Sequence, residues 1–212
     1  SIANKNNCQA TFMAKPFDSQ VGNGMHLHAS VLDESGDNIF NNGTDAGSKI
    51  LENAVAGCLK HMKEGMAIFA PNINSYRRFA PGCYAPLSPS WGYENRTTAI
   101  RIPAGDVSSI RIEHRVSGAD ANPYLVAATI LASALDGIKN KLEPTKAIVG
   151  DRSKHSEQLP RFWEESLNIF NDSKFISDYL GFEFQKNFYR CKRQEKTEFD
   201  TRAFALEFDA YL

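Results

Sequence analysis

The chain has 212 residues, 42% hydrophobic and 23% charged, with a net charge of -1. That is enough apolar material for a real core, and the near-neutral balance gives nucleic acid and anionic membranes no general electrostatic handle. No apolar run approaches the ~20 residues of a membrane span, and residues 1–7 lack the apolar stretch of a signal peptide. The four cysteines, Cys8, Cys58, Cys83 and Cys191, form no C-x-x-C pair, which excludes a zinc or disulfide signature and makes a reducing cytoplasm the default.

In chain order, residues 10–13 read as a short strand stopped by Pro16. The glycines and small polar residues of 17–24 mark a loop. Residues 25–32 alternate as a strand, with His26, His28 and Ser30 on one face. Residues 33–37 form a turn, and 38–40 a return strand. Three-four spacing of Leu51, Ala54, Val55, Cys58, Leu59, Met62 and Met66 predicts a helix over 48–69. Cys58 and Met62 are packing residues in it, and His61 lies on its surface. Residues 70–89 are a proline-rich loop containing Arg77 and Arg78, either a solvated corner or a ligand-facing pair. Strands follow at 97–102, ended by Pro103, and at 111–115. Asp120 or Asn122 caps a core helix with Pro123 in its first turn, running to about Lys141. After a polar connection over 143–158, helices return at 160–170 and 173–180, the latter ended by Gly181. A charged stretch then completes a third of the chain given to packing and assembly.

Alternation on the strand at 111–115 puts Arg111, Glu113 and Arg115 on one face. That is a surface charge ladder or the floor of a site holding a cation and an anion together. Between Glu64 and Asp136 there are six arginines (Arg77, Arg78, Arg96, Arg101, Arg111, Arg115) and no lysine, although lysines outnumber arginines in the chain as a whole. A rigid, always-charged fork suits carboxylate and phosphate oxygens. His26 and His28 are either half-buried histidines or metal ligands. With Glu113 they suit Mn²⁺ or Mg²⁺. A metal and guanidiniums around a transferring phosphoryl group is the logic of phosphoryl transfer, and no Walker A sequence is present.

Six motifs then occur in order: Phe12-Met13-Ala14-Lys15-Pro16, Gly22-Asn23-Gly24-Met25-His26-Leu27-His28-Ala29-Ser30, Asn74-Ser75-Tyr76-Arg77-Arg78, Trp91-Gly92-Tyr93-Glu94-Asn95-Arg96, Arg111-Ile112-Glu113-His114-Arg115 and Ala121-Asn122-Pro123-Tyr124-Leu125. Together they resemble the catalytic domain of glutamine synthetases. Arg77-Arg78-Phe79 and Ala80-Pro81-Gly82-Cys83-Tyr84-Ala85-Pro86 are closest in texture to the γ-glutamylpolyamine (γ-glutamylputrescine) branch. The resemblance implies an α+β fold, an antiparallel sheet carrying the site and backed by helices. It implies a ligase that phosphorylates the γ-carboxylate of glutamate with ATP and lets an amine displace the phosphate. By resemblance, His26 and Glu113 ligate a metal, and His28 and Ser30 contact ATP. Arg101 and Arg111 hold its phosphates or the transferred phosphoryl, while Gly22, Arg78, Arg96 and Arg115 hold glutamate or the acyl phosphate. Arg96, Arg101 and Arg111 thus form the catalytic set. A ring-shaped homo-oligomer, a dodecamer in the family, is implied as well.

The chain departs from the family pattern at three places. Tyr84 stands where ammonia-using members carry a glutamate that receives a proton from ammonium. A phenol, ionising near ~10 in water, is a poor base at neutral pH. Its ring suits the path of an alkyl amine such as putrescine, with ammonia the alternative acceptor and a non-catalytic scaffold the alternative role. Val21 replaces the usual asparagine of the glycine loop. No tyrosine lies between Lys141 and Leu159, so the adenylylation control of some bacterial members is expected to be absent. The family's β-grasp domain and paired glutamates do not appear before Ser1. Residues 1–212 are therefore expected to be the C-terminal part of a catalytic domain and inactive alone.

Overall fold

The computed structural model describes residues 1–80, 84–150, 158–203 and 207. Its elements run α1 (Ile2–Lys5), β1 (Leu27–Ala29), α2 (Lys49–Lys60), α3 (Met66–Phe69), β2 (Trp91–Tyr93), β3 (Ile100–Ile102), β4 (Ile112–His114), α4 (Pro123–Lys139), α5 (Trp163–Asp172), α6 (Lys174–Leu180) and α7 (Phe182–Asp200), with 3-10 turns at Ile73–Arg78 and Val107–Ser109. The fold is α+β, as expected: a small sheet backed by helices. Among the described residues no helix is long and apolar enough to cross a membrane.

The sheet has the order β1-β4-β3-β2. β4 pairs antiparallel with β1 and β3, but β2 runs parallel to β3. The sheet is therefore mixed, where an antiparallel one was expected. Register puts His28 opposite Glu113, Glu113 opposite Arg101, and Arg101 opposite Gly92. Directly opposed residues share a face, so one polar row crosses the sheet. The next row, Leu27, His114, Ile100 and Trp91, faces the other way. There Ile100, Ile112, His114 and Trp91 are buried, and the His114 ring lies 4.7 Å from that of Phe69.

Behind this face, α2 and α4 cross closely. Ser48 caps α2 by accepting from Leu51 N, and its hydroxyl donates to Ile39 O at 2.7 Å. Asn122, not Asp120, caps α4 through Tyr124 N and Leu125 N, with Pro123 in the first turn. The crossing is made by two glycines. A Cβ on Gly57 would lie 2.0 Å from Ser133 O, and one on Gly137 would lie 2.1 Å from Asn53 O. The later helices pack outside this pair. Gln185 of α7 donates to the carbonyls of Phe170, Asn171 and Ser173, tying it to the α5–α6 junction.

Several expected elements differ. Residues 10–13 form no strand; they are exposed and find no pairing partner among the described residues. The expected return strand at 38–40 shrinks to one bridge, Leu32 to Asn38. The helix expected over 48–69 is broken by a turn after Lys60. That break carries His61, which is buried rather than on the surface (5% exposed). Its Nδ1 lies 2.5 Å from Glu64 Oε2 and its Nε2 2.8 Å from Asp136 Oδ2, with its ring stacked on Phe175. Cys58 and Met62 pack in the core as expected, and burial pushes the Cys58 thiol up to about 12. Pro81, Gly82 and Cys83, and residues 151–157 of the polar connection, lie outside the described residues.

Candidate active site

Glu113 is the centre of the polar row and is 3% exposed. Strand alternation aims its carboxylate at the open face while Ile112 and His114 anchor β4 in the core. Its Oε2 accepts from Arg101 at 2.8 Å and its Oε1 from Arg115 at 3.0 Å. His26 Nδ1 lies 3.0 Å from the same Oε1, and His28 Nε2 lies 3.8 Å away. Burial alone would raise the Glu113 carboxyl, but Arg115, Arg101 and His26 together hold it below the usual range. His26 is lowered by burial and by Arg115, which outweigh the attraction of Glu113.

Each arginine of the row has a second tether. Arg101 also binds Glu94, at 3.1 Å. Glu94 sits at φ 48, a left-handed conformation that costs a non-glycine residue energy. The Ala104 amide, then Arg101, hold its carboxyl below the usual range. Arg115 donates to Arg96 O at 2.9 Å. The Nε atoms of Arg101 and Arg115 are buried without a hydrogen-bond partner. Arg111 donates from Nε to His28 Nδ1 at 3.1 Å, which leaves the imidazole proton on Nε2.

Beside the row lies a cleft of about 390 Å³ lined by Gly22, His26, Arg78, Tyr84 and Arg115, among others. Arg78 is buried and donates to Val116 O at 3.2 Å. The glycine loop packs directly on it. A Cβ at Gly22 would meet Ala14 O at 2.7 Å and Arg78 Cγ at 2.9 Å, and one at Gly24 would meet Arg78 Nη2 at 3.2 Å. Both glycines are thus explained by close approach. Tyr84 is 85% exposed at the cleft wall, and Val21 is a lining residue too.

The structure therefore brings His26, His28, Arg101, Arg111, Glu113 and Arg115 together, with Gly22, Arg78 and Tyr84 alongside. It leaves two predicted residues outside. Ser30 is exposed beyond β1, and the Arg96 side chain is exposed, its carbonyl accepting from Arg115. Sequence reasoning assigned no role to Glu94, Lys15 or Asn74. Lys15 and Asn74 exchange two hydrogen bonds, Lys15 N to Asn74 Oδ1 at 2.7 Å and Asn74 Nδ2 to Lys15 O at 2.9 Å, joining the glycine loop to the Arg78 turn. The motifs contained all three residues, but Lys15 and Asn74 are too distant in sequence to be paired from spacing, and Glu94 meets Arg101 through the pairing of β2 with β3. A larger cleft of about 470 Å³, walled by Tyr93, Ile102 and Ile110, includes none of the predicted site residues.

The metal expectation can be tested on the donor atoms. His26 Nδ1 and Glu113 Oε1 lie 3.0 Å apart, a hydrogen-bonding distance, and one imidazole nitrogen beside one carboxylate oxygen is a donor pair that Mg²⁺ or Mn²⁺ accepts. These two residues fit as neighbouring ligands. No group of three ligating side chains exists among the described residues, so they fit only part of a coordination shell.

Residues 1–211 match the family described as glutamine synthetase, catalytic domain. Over 200 residues the chain is 40% identical to γ-glutamylputrescine synthetase PuuA of Escherichia coli (strain K12), covering 94% of this chain and 42% of that protein. It is 41% identical over 204 residues to glutamine synthetase of Pyrococcus abyssi, covering 92% and 46%. It is 40% identical over 197 residues to glutamate–isopropylamine ligase of a Pseudomonas species, covering 90% and 43%. Among solved structures, ligand-free GmaS superposes with a TM-score of 0.88 at 30% identity, covering 99% of this chain and 49% of that one. The chain spans less than half the length of these curated relatives. With the fold, the ordered motifs and the matched length in agreement, this chain belongs to the glutamine synthetase family.

Proposed function

We propose that the whole protein is an ATP-dependent ligase joining the γ-carboxylate of glutamate to an alkyl amine, putrescine or another polyamine, through γ-glutamyl phosphate. Residues 1–212 are then the C-terminal part of its catalytic domain. The observation that carries the reading is the side chain at the cleft wall. Where ammonia-using members keep a carboxylate, Tyr84 offers an open aromatic face beside His26, Arg78 and Arg115. The names of two relatives, a putrescine and an isopropylamine ligase, point the same way.

In this reading Arg78 and Arg115, with Arg96 and the close-packed Gly22, hold glutamate and its acyl phosphate. Arg101 and Arg111 take phosphate oxygens, and the charge developing on the transferred group is met by preorganised guanidiniums. The carboxylates of Glu94 and Glu113 keep Arg101 in place until the nucleotide arrives. His28 contacts ATP from the site, and Ser30 does so from its exposed position beyond β1. His26 and Glu113 would hold a Mg²⁺ or Mn²⁺ ion, which supplies Lewis-acid charge to the phosphates. The described residues offer only part of a shell, so in this reading residues 1–212 alone are inactive, and by the family resemblance the whole protein is a cytoplasmic homo-oligomer.

Glutamine synthesis with ammonia is the second reading, favoured by the 41% identity to the Pyrococcus abyssi enzyme. Tyr84→Glu in the whole protein separates the two. The amine reading expects the ratio of kcat/KM for putrescine over ammonia to fall at least ten-fold in the variant. A ratio that favours ammonia already in the wild type overturns it. ATP-dependent γ-glutamyl transfer by residues 1–212 alone overturns the statement about the isolated chain.

A further inference from the structure

We infer that Asp18 selects a diamine over a monoamine by receiving the acceptor's distal ammonium. This rests on the amine-ligase reading of the same cleft. A diamine is a dication at neutral pH. One nitrogen must lose its proton to attack an acyl phosphate, and the other stays charged. The charged groups that line the cleft besides Asp18 are basic, Arg78, Arg115 and Lys15, the last with its ammonium turned into loop carbonyls. Asp18 is the one carboxylate among its described lining residues.

The loop that carries Asp18 is built from below. Lys15 is buried, and its ammonium donates to the carbonyl of Asp18 at 3.2 Å and to the carbonyl of Gln20. Its backbone is bracketed on both sides by Asn74. Asn23 closes the other end of the loop, from its amide to Ala14 O at 2.7 Å and from its side chain to Met13 O at 2.8 Å. Lys15 thus directs its charge into the loop's carbonyls, while the Asp18 side chain stays 94% exposed. Among the described residues its carboxylate pairs with Arg77, at 3.9 Å and itself exposed. So weak a pair leaves the carboxylate available to an incoming ammonium. Tyr84 lines the same cleft and offers its ring to the methylene chain between the two nitrogens.

The test uses the whole protein with glutamate, ATP and either putrescine or butylamine, reading phosphate release. The measured quantity is the ratio of kcat/KM for the diamine over the monoamine. The inference expects a wild-type ratio well above one. Asp18→Asn lowers it about five-fold or more, with the loss in KM for putrescine, and Asp18→Glu restores most of it. A wild-type ratio above one that Asp18→Asn leaves unchanged overturns the inference alone. Turnover with ammonia but with neither amine overturns both this inference and the amine-ligase reading.

Discussion

Replacing Glu113 with glutamine tests whether this carboxylate is the hub of the site. The side chain is 3% exposed and faces Arg101, whose side chain is 15% exposed, and Arg115, 10% exposed. Glutamine keeps the shape and one acceptor oxygen, but its amide nitrogen must then face a guanidinium. Removing one partner of a buried ion pair costs about 3–5 kcal/mol. The retained oxygen puts the substitution at the lower end, about 3 kcal/mol. For a domain of this size 1 kcal/mol moves Tm by roughly 2–4 °C, so Glu113→Gln should melt about 6–12 °C below the wild type. Arg111→Gln is the control. It touches His28 and a backbone carbonyl on a partly open surface, and surface substitutions of this kind cost about 0.5 kcal/mol. Urea unfolding followed by circular dichroism measures both. A Glu113→Gln loss under about 1 kcal/mol, or equal losses in the two variants, would refute the hub.

Three further outcomes follow from the packing. Gly57→Ala gains about 1 kcal/mol of helix propensity, but its methyl would sit 2.0 Å from Ser133 O; overpacking wins, and urea unfolding should show a net loss of about 1–2 kcal/mol rather than a gain. His61→Leu removes one hydrogen-bond partner from each of Glu64 and Asp136, which keep Ser173 and Lys60, Asn140 and Tyr179 respectively, so it should cost about 1–3 kcal/mol, and a double-mutant cycle with Asp136→Asn should return a coupling above about 0.5 kcal/mol, an additive cycle speaking against the network. Burial lowers His114 to about 3 from an ordinary 6.5. Its folded pKa lies below its unfolded one, so below about pH 6.5 the unfolded chain takes up a proton the native state refuses. Stability should then fall by about 1.4 kcal/mol per pH unit, and His114→Phe should flatten that slope in urea titrations at about pH 7 and pH 5.

The sheet's polar face was legible because alternation is local. Arg111, Glu113 and Arg115 follow from a period of two, and His26 and His28 from the same rule. The direct opposition of Glu113 to His28 and to Arg101 was not, since register depends on which strands pair. The parallel β2–β3 pair was missed because Trp91–Tyr93 carries a glycine and only three residues. His61 was misread as a surface residue because its helix ends one residue earlier, and the carboxylate that buries it, Asp136, lies 75 positions away. Residues 10–13 have strand composition, but strand structure needs a partner and none is described. The role of Lys15 was hidden for a related reason: a lysine beside a proline reads as solvated unless the carbonyls it reaches are known.

The central claim, that this cleft serves an alkyl amine in place of ammonia, is tested most directly by competition. The whole protein is given ATP, glutamate, and ammonia and putrescine in equal amounts, and the products are weighed by mass spectrometry. The account predicts γ-glutamylputrescine as the main product, with glutamine a minor one. Glutamine as the main product would contradict it.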